Sequence, residues 1–427
     1  MIALAALLGI AIAVALGTAS RPSPTLAAAG GMAALAALAL ALARYEAAVA
    51  LAMLIFGVVF VEPSPPDAIL MTIMAVAVVT GRFTLRRVPF PILALLGAFL
   101  ILNLVSGVFA TRPGRAAFFL LITTYLCLFS VWLTGFVDSA RRARMIIAPL
   151  VAGAVASAAI GIPLLFTSLP GSGQATVAHL RLRGFFKDPN VFGPFCVFVA
   201  LLVVSELLEP RLLKARRPLK LVLLVMLALG ALFAYSRAAW LNAAVATVVM
   251  MAAYGLRRGG GRKAAAILVT VVVLAGLGSV TLAATGSEGF LGQRAHRQSY
   301  DVRRFAAQRK GFELVQSYPL GIGPGQFEHT VGVAAHSTYV RALAEQGFLG
   351  LFVVLSVLLA TLGLAARNLV LGRDTFGIGS VPLLAGWCGL LANGAFVDTI
   401  HWRHFWLVAG LIWTGAMRST GENPQAL

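Results

Sequence analysis

Residues 285–346 form a polar segment between long apolar runs, and most of the chain's candidate chemistry lies in it. The segment carries Arg294, Arg297, Arg303, Arg304, Arg309 and Lys310, then His329, His336, Arg341 and Glu345. Guanidinium groups offer paired, charge-assisted donors that match phosphate oxygens. A water-facing, arginine-rich loop on an apolar bundle therefore suits a polyanionic, phosphate-bearing substrate at a membrane surface. Ser337 or Thr338 can cap the helix that follows His336. That cap sets the imidazole against the positive end of a helix dipole, which disfavours its charged form. A neutral imidazole accepts a proton, so His336 is the candidate general base.

Two further stretches add cations. Arg183-Gly184-Phe185-Phe186-Lys187-Asp188-Pro189-Asn190 reads as a tight turn into a helix capped by Asn190. It presents Arg183 and Lys187 beside a helix N-terminus, a place that suits an anion. An ordinary interhelical turn would use the same residues. Tyr235-Ser236-Arg237-Ala238 is a short hinge between two apolar runs, so Arg237 sits at the membrane boundary. Burying that charge costs about 2.5–3.5 kcal/mol on the translocon scale, which calls for an anionic partner or a wet cavity. The run Gly321-Ile322-Gly323-Pro324-Gly325 lacks the Lys-Ser/Thr of a P-loop and reads as a turn. Tyr339, Arg341 and Glu345 complete the substrate-binding candidates with Arg303 and Arg304, although Glu345 is also spaced to pair with Arg341. His296, His329 and His404 lack partners at metal-ligand spacing. Asp398 and His401, three residues apart, read as a hydrogen-bonded pair. No metal or cofactor is expected. Cys127, Cys196 and Cys388 lie inside apolar runs and read as buried hydrophobes.

The elements that must position these residues are membrane helices. The chain has 427 residues, of which 60% are hydrophobic and only 11% charged. Its mean hydropathy is +0.92. Soluble domains carry about 25% charged residues. The fold class is therefore all-α, a polytopic membrane helical bundle of about 12–14 spans with one long loop containing short helices. Spans centre near residues 9, 34, 53, 73, 98, 126, 156, 199, 226, 247, 274, 360, 388 and 411. The first reads as a span and not a cleaved signal, for lack of a basic n-region. The organisation expected is 1–284 with about eleven spans, 285–347 as the polar loop, and 348–427 with about three spans.

The net charge of +19 is a topology signal and not a nucleic-acid footprint. Alternating sides from a cytoplasmic N-terminus puts Arg82, Arg86 and Arg87, Arg141, Arg142 and Arg144, Arg211 to Lys220, and Arg257 to Lys263 inside. Both termini are then cytoplasmic, and the polar loop faces the other side. Arg21, Arg112, Arg115 and Arg403 on that side read as snorkelling side chains. Glu62 and Asp67 read as a solvated loop. Within the long loop, Asp301 is placed to cap a helix ending near Ser317, which would lie on the outer leaflet or over the bundle.

The three stretches together resemble the bacterial O-antigen ligase and O-antigen polymerase superfamily. The matching residues are Arg183-Gly184-Phe185-Phe186 with Pro189-Asn190, Ser236-Arg237, Gly321-Ile322-Gly323 with Phe327, and His336-Ser337-x-Tyr339 through Glu345-x-Gly347. The resemblance implies a C-type, inverting, metal-independent glycosyltransferase of the bacterial inner membrane with its active site facing the periplasm. Its donor would be a glycan on undecaprenyl diphosphate, with no nucleotide involved. The acceptor would be a lipid A-core sugar for a ligase, or another lipid-linked repeat for a polymerase. Arg183 and Arg237 would hold the diphosphate, and His336 would activate the acceptor hydroxyl. Ser337 stands where family members more often carry Asn. A lipid-linked-glycan flippase is the reading from another class; it predicts charge deep in the spans, and almost none is seen.

Overall fold

The computed structural model describes residues 37–59, 64–177, 180–257, 259–296 and 299–417. The expected spans centred at residues 9 and 34, both termini, and Arg21, Glu62 and Arg297 lie outside the described residues. The other twelve expected centres each fall in a helix. In chain order these are α1 (Tyr45–Leu54), α2 (Pro65–Val79), α3 (Phe90–Gly107), α4 (Pro113–Phe136), α5 (Ala140–Leu165), then a four-residue α6 (Ser172–Ala175) and the hairpin β1 (Thr176–Val177) and β2 (Arg181–Leu182). They continue as α7 (Pro189–Leu208), α8 (Arg217–Phe233), α9 (Arg237–Gly255) and α10 (Gly261–Ala284). The long loop holds α11 (Glu288–Ala295), α12 (Ser299–Ser317) and α13 (Phe327–Val331), and α14 (Thr338–Val370), α15 (Ser380–Gly394) and α16 (Arg403–Ala416) close the chain. Seven helices among the described residues are long and apolar enough to cross a membrane: α3, α4, α5, α7, α9, α10 and α14. The protein is an all-α, multi-pass membrane protein.

Polar contacts sort the connections into two ends. At one, Arg142 pairs with Asp138 (2.8 Å), Arg144 donates to the Leu212 carbonyl (2.9 Å), Arg211 pairs with Asp374 (2.8 Å) and Lys220 with Glu206 (3.2 Å). This basic end gathers the loops expected inside. At the other, the Val59 amide donates to the Phe185 carbonyl (2.8 Å), Arg181 to the Ala234 carbonyl (3.1 Å) and Arg304 to the Phe396 carbonyl (2.6 Å). This is the loop end. Between them sits a core of fully buried aromatics that includes Trp132, Trp387, Trp406 and Trp413.

Three local readings are corrected. Asp67 is no solvated loop residue: it closes a capping box with Ser64 at the start of α2. Arg403 is no snorkelling side chain. It is buried and donates to Ser64 Oγ (2.7 Å) and Asp67 Oδ1 (2.8 Å), because a guanidinium at that depth needs a counter-charge and α2 supplies one. Arg115 likewise pairs with Glu328 (2.8 Å).

Candidate functional site

At the loop end, a cavity of about 410 Å³ is lined by Arg181, Asn190, Arg294, Arg303, Arg304, Val333 and His336. Five distant segments converge to make it. Arg181 comes from β2, whose register (Val177 opposite Arg181) turns the chain back across the start of α7. Arg181 donates to the Ala234 carbonyl and to Asn190 Oδ1 (3.1 Å), and Ser236 Oγ donates to the same amide oxygen (2.9 Å). Asn190 does not cap α7. Asp188 does, accepting from the Asn190 amide (2.8 Å), which leaves the Asn190 side chain to join the arginine to the α8–α9 hinge. Arg294 on α11 donates to the Tyr235 carbonyl (3.3 Å), and α12 brings in Arg303 and Arg304.

His336 precedes α14. Ser337 caps that helix, accepting from the Val340 amide (3.4 Å). Its neighbour Thr338 is clamped by the α15–α16 connection: Thr338 Oγ1 accepts from the Thr399 amide (2.8 Å). Gln308 of α12 donates to the His336 carbonyl (3.3 Å). The backbone of His336 is held at φ +49°, and that of Tyr235 at φ +46°. Left-handed conformations in non-glycine residues cost about 1–3 kcal/mol each and persist where the surroundings over-determine them. Here they flank one cavity. The His336 pKa lies below the ordinary value because burial disfavours the cation and Arg304 repels it, against the smaller opposing pull of Asp188 and Glu328. The balance favours the neutral imidazole, as the helix-start argument expects, although burial and Arg304 are the main causes.

Of the site residues expected from sequence, the cavity takes His336, Arg303 and Arg304. Arg237 lies beside it, at the first turn of α9, with its guanidinium on the Asp301 carboxylate of α12. Asp301 therefore serves as an ion-pair partner inside the first turn of α12 and not as its cap. Arg183 turns to carbonyls, donating to Gln174 (3.0 Å), Gly173 (2.9 Å) and Lys187 (3.2 Å), so it braces the turn. Lys187 is exposed, and Tyr339 donates its hydroxyl to the Leu391 carbonyl of α15 (2.8 Å).

Arg341 and Glu345 are buried in a separate network below. Arg341 pairs with Asp398 (2.8 Å) and Glu328 (3.4 Å) and stacks over the Phe119 ring. Asp398 also accepts from His401 Nδ1 (3.3 Å), the hydrogen bond its spacing suggested. Burial opposes the Asp398 charge, but Arg341 and then His401 outweigh it and hold the carboxyl well below the usual range. Glu345 accepts the amides of Gly325 (2.9 Å) and Phe327 (3.2 Å). The glycine run is accordingly a latch: Ile322 and Gly323 donate to the carbonyls of Ala344 and Glu345, and Phe348 donates to that of Pro319. A Cβ on Gly321 (φ +86°) would meet the Glu345 carbonyl oxygen at 2.3 Å.

Sequence reasoning passed over Arg181 and Arg294. Arg181 and Arg183 are two residues apart at the same turn, and only the hairpin register selects between them. Arg294 carried no signal beyond its place in the cluster.

The fold and cavity define a class: a multi-pass helical membrane protein that gathers guanidinium groups around a half-buried histidine at one end. Residues 221–355 match the family described as O-antigen ligase. The chain resembles that superfamily, and the match supports a ligase- or polymerase-type membrane glycosyltransferase acting in lipopolysaccharide biosynthesis on a lipid-linked glycan and an acceptor. The matched residues include Arg237, Arg294, Arg303, Arg304 and His336 but not Arg181. No curated protein matches the chain.

Proposed function

We propose that this protein is an O-antigen ligase of the bacterial inner membrane, with the loop end facing the periplasm and both termini in the cytoplasm. It moves a glycan from undecaprenyl diphosphate to a hydroxyl of a lipid A-core sugar. The observation that carries this reading is the meeting of His336 with Arg181, Arg294, Arg303 and Arg304 in one cavity. The acceptor oxygen attacks the anomeric carbon as the bond from that carbon to the diphosphate oxygen breaks, and the configuration inverts. His336 takes the hydroxyl proton, which its neutral state permits. The diphosphate leaves without needing a proton, because the arginines neutralise the charge that develops on it. Arg237 acts beside the cavity by holding Asp301, and Arg183 by holding the turn that presents Arg181.

The test is reconstitution of purified protein in vesicles with a lipid-linked glycan and lipid A-core. Ligation predicts a product that forms only when lipid A-core is added. A ladder built from the lipid-linked glycan alone would instead assign a polymerase. Full transfer by correctly inserted His336→Ala and Arg304→Ala proteins would remove both readings.

A further inference from the structure

The cavity wall formed by α12 has an outer side that the transfer reading does not use. One side of α12 packs on the bundle through Ala307, Gly311 and Val315. There, a Cβ on Gly311 would meet Val340 Cγ1 at 2.4 Å, so the approach is close. A different side exposes Val302, Phe305 and Phe312 at 56%, 51% and 54%. Spacings of three and seven residues place these three on one helical face. Arg309, largely exposed, lies on that same face, four residues after Phe305, and stands 3.9 Å from the exposed Glu313 carboxylate one turn on.

Both ends of α12 are tied to the ends of membrane spans. Asp301, in its first turn, pairs with Arg237, the first residue of the span α9. Just after its last turn, the Pro319 carbonyl accepts from the Phe348 amide (3.3 Å), at the break in α14. Gly347 makes that break with φ +72°, and beyond it Phe348, Leu349 and Phe352 are exposed on an apolar span. A 19-residue helix covers about 28 Å. A rod of that length, pinned at both ends where spans meet the bilayer boundary, runs along the membrane plane and not away from it. Tyr318 and Leu320, also exposed, extend its apolar surface to the lipid-facing start of α14.

We propose that α12 is an in-plane interfacial helix whose Val302, Phe305 and Phe312 insert into the leaflet at the loop end. Arg309 reaches up from the same face to lipid phosphates, its alkyl stem lying on the apolar side chains. Since α12 also carries Arg303 and Arg304, the bilayer itself supports one wall of the cavity. The inference rests on the multi-pass fold and not on the transfer reaction.

The test uses the full-length protein in phosphatidylethanolamine–phosphatidylglycerol vesicles without substrate. Spin labels are placed singly by Phe305→Cys, Phe312→Cys and Lys310→Cys, with the unsubstituted protein giving the background from its native cysteines. Labels at 305 and 312 are expected to collide more with lipid-soluble oxygen than with a water-soluble nickel chelate, and the label at 310 the reverse. Nickel access at 305 and 312 equal to that at 310 would show a face in water and overturn the proposal. Exclusion of both reagents would show a face covered by protein, such as a second copy, and would overturn it equally.

Discussion

Replacing Glu345 probes the latch beneath the cavity. Its buried carboxylate accepts two backbone amides, at 2.9 and 3.2 Å, and lies 3.9 Å from Arg341. A buried amide left without its acceptor costs about 1–3 kcal/mol, so Glu345→Ala, which strands two, loses about 2–6 kcal/mol. Arg341 softens the loss, because Asp398 and Glu328 still balance it. Glu345→Gln keeps the shape and one acceptor but sets an NH₂ against the second amide, so about half of the loss is expected. The assay is thermal unfolding of purified protein in detergent, read by size-exclusion chromatography after heating. The expected order of stability is wild type, then Gln, then Ala. Glycosyl transfer should fall in the same order, since Arg341 and the start of α14 lie between the latch and His336. A Glu345→Ala protein as heat-stable as wild type would refute the latch, because two buried amides cannot lose their acceptor without cost.

Other outcomes follow from the same contacts. Arg304→Gln removes a cation that depresses the His336 pKa, so that pKa rises and the acid limb of kcat/KM against pH moves to higher pH; an unmoved limb would separate Arg304 from the base. His336→Ala is expected to lower kcat by about 10²–10⁴-fold, the range of a general base, in single-turnover transfer. Arg181→Ala should weaken donor binding more than Arg183→Ala, measured as KM for the lipid-linked glycan, because only Arg181 lines the cavity. Asp67→Asn weakens the largely buried pair with Arg403 at a cost of about 3–5 kcal/mol, and the double change Asp67→Leu with Arg403→Met should recover only part of it in the same heating assay, because Asp67 also accepts from the Ser64 amide (2.9 Å) and the Tyr125 hydroxyl (2.9 Å).

The bundle was legible from the residues alone. Apolar runs of span length and basic clusters at alternate connections are local quantities, and a helix in lipid must satisfy its own backbone. Twelve expected centres therefore lie in helices. The cap at Ser337 and the helix ending near Ser317 were also legible, since each depends on neighbours a few residues away. Which cations share a cavity depends on how the helices pack. Arg181 and Arg183 are equivalent as sequence, yet one reaches Asn190 and the Ala234 carbonyl while the other turns to its own loop. Arg403 looked like a boundary residue until α2, 336 positions earlier, supplied Asp67. Arg341 and Glu345 looked like ligands until the glycine turn and Asp398 took up their charges. A charged side chain is satisfied by whatever lies within a few ångströms. In a bundle those neighbours come from helices hundreds of residues apart, so the partner of each charge is fixed only when the helices pack.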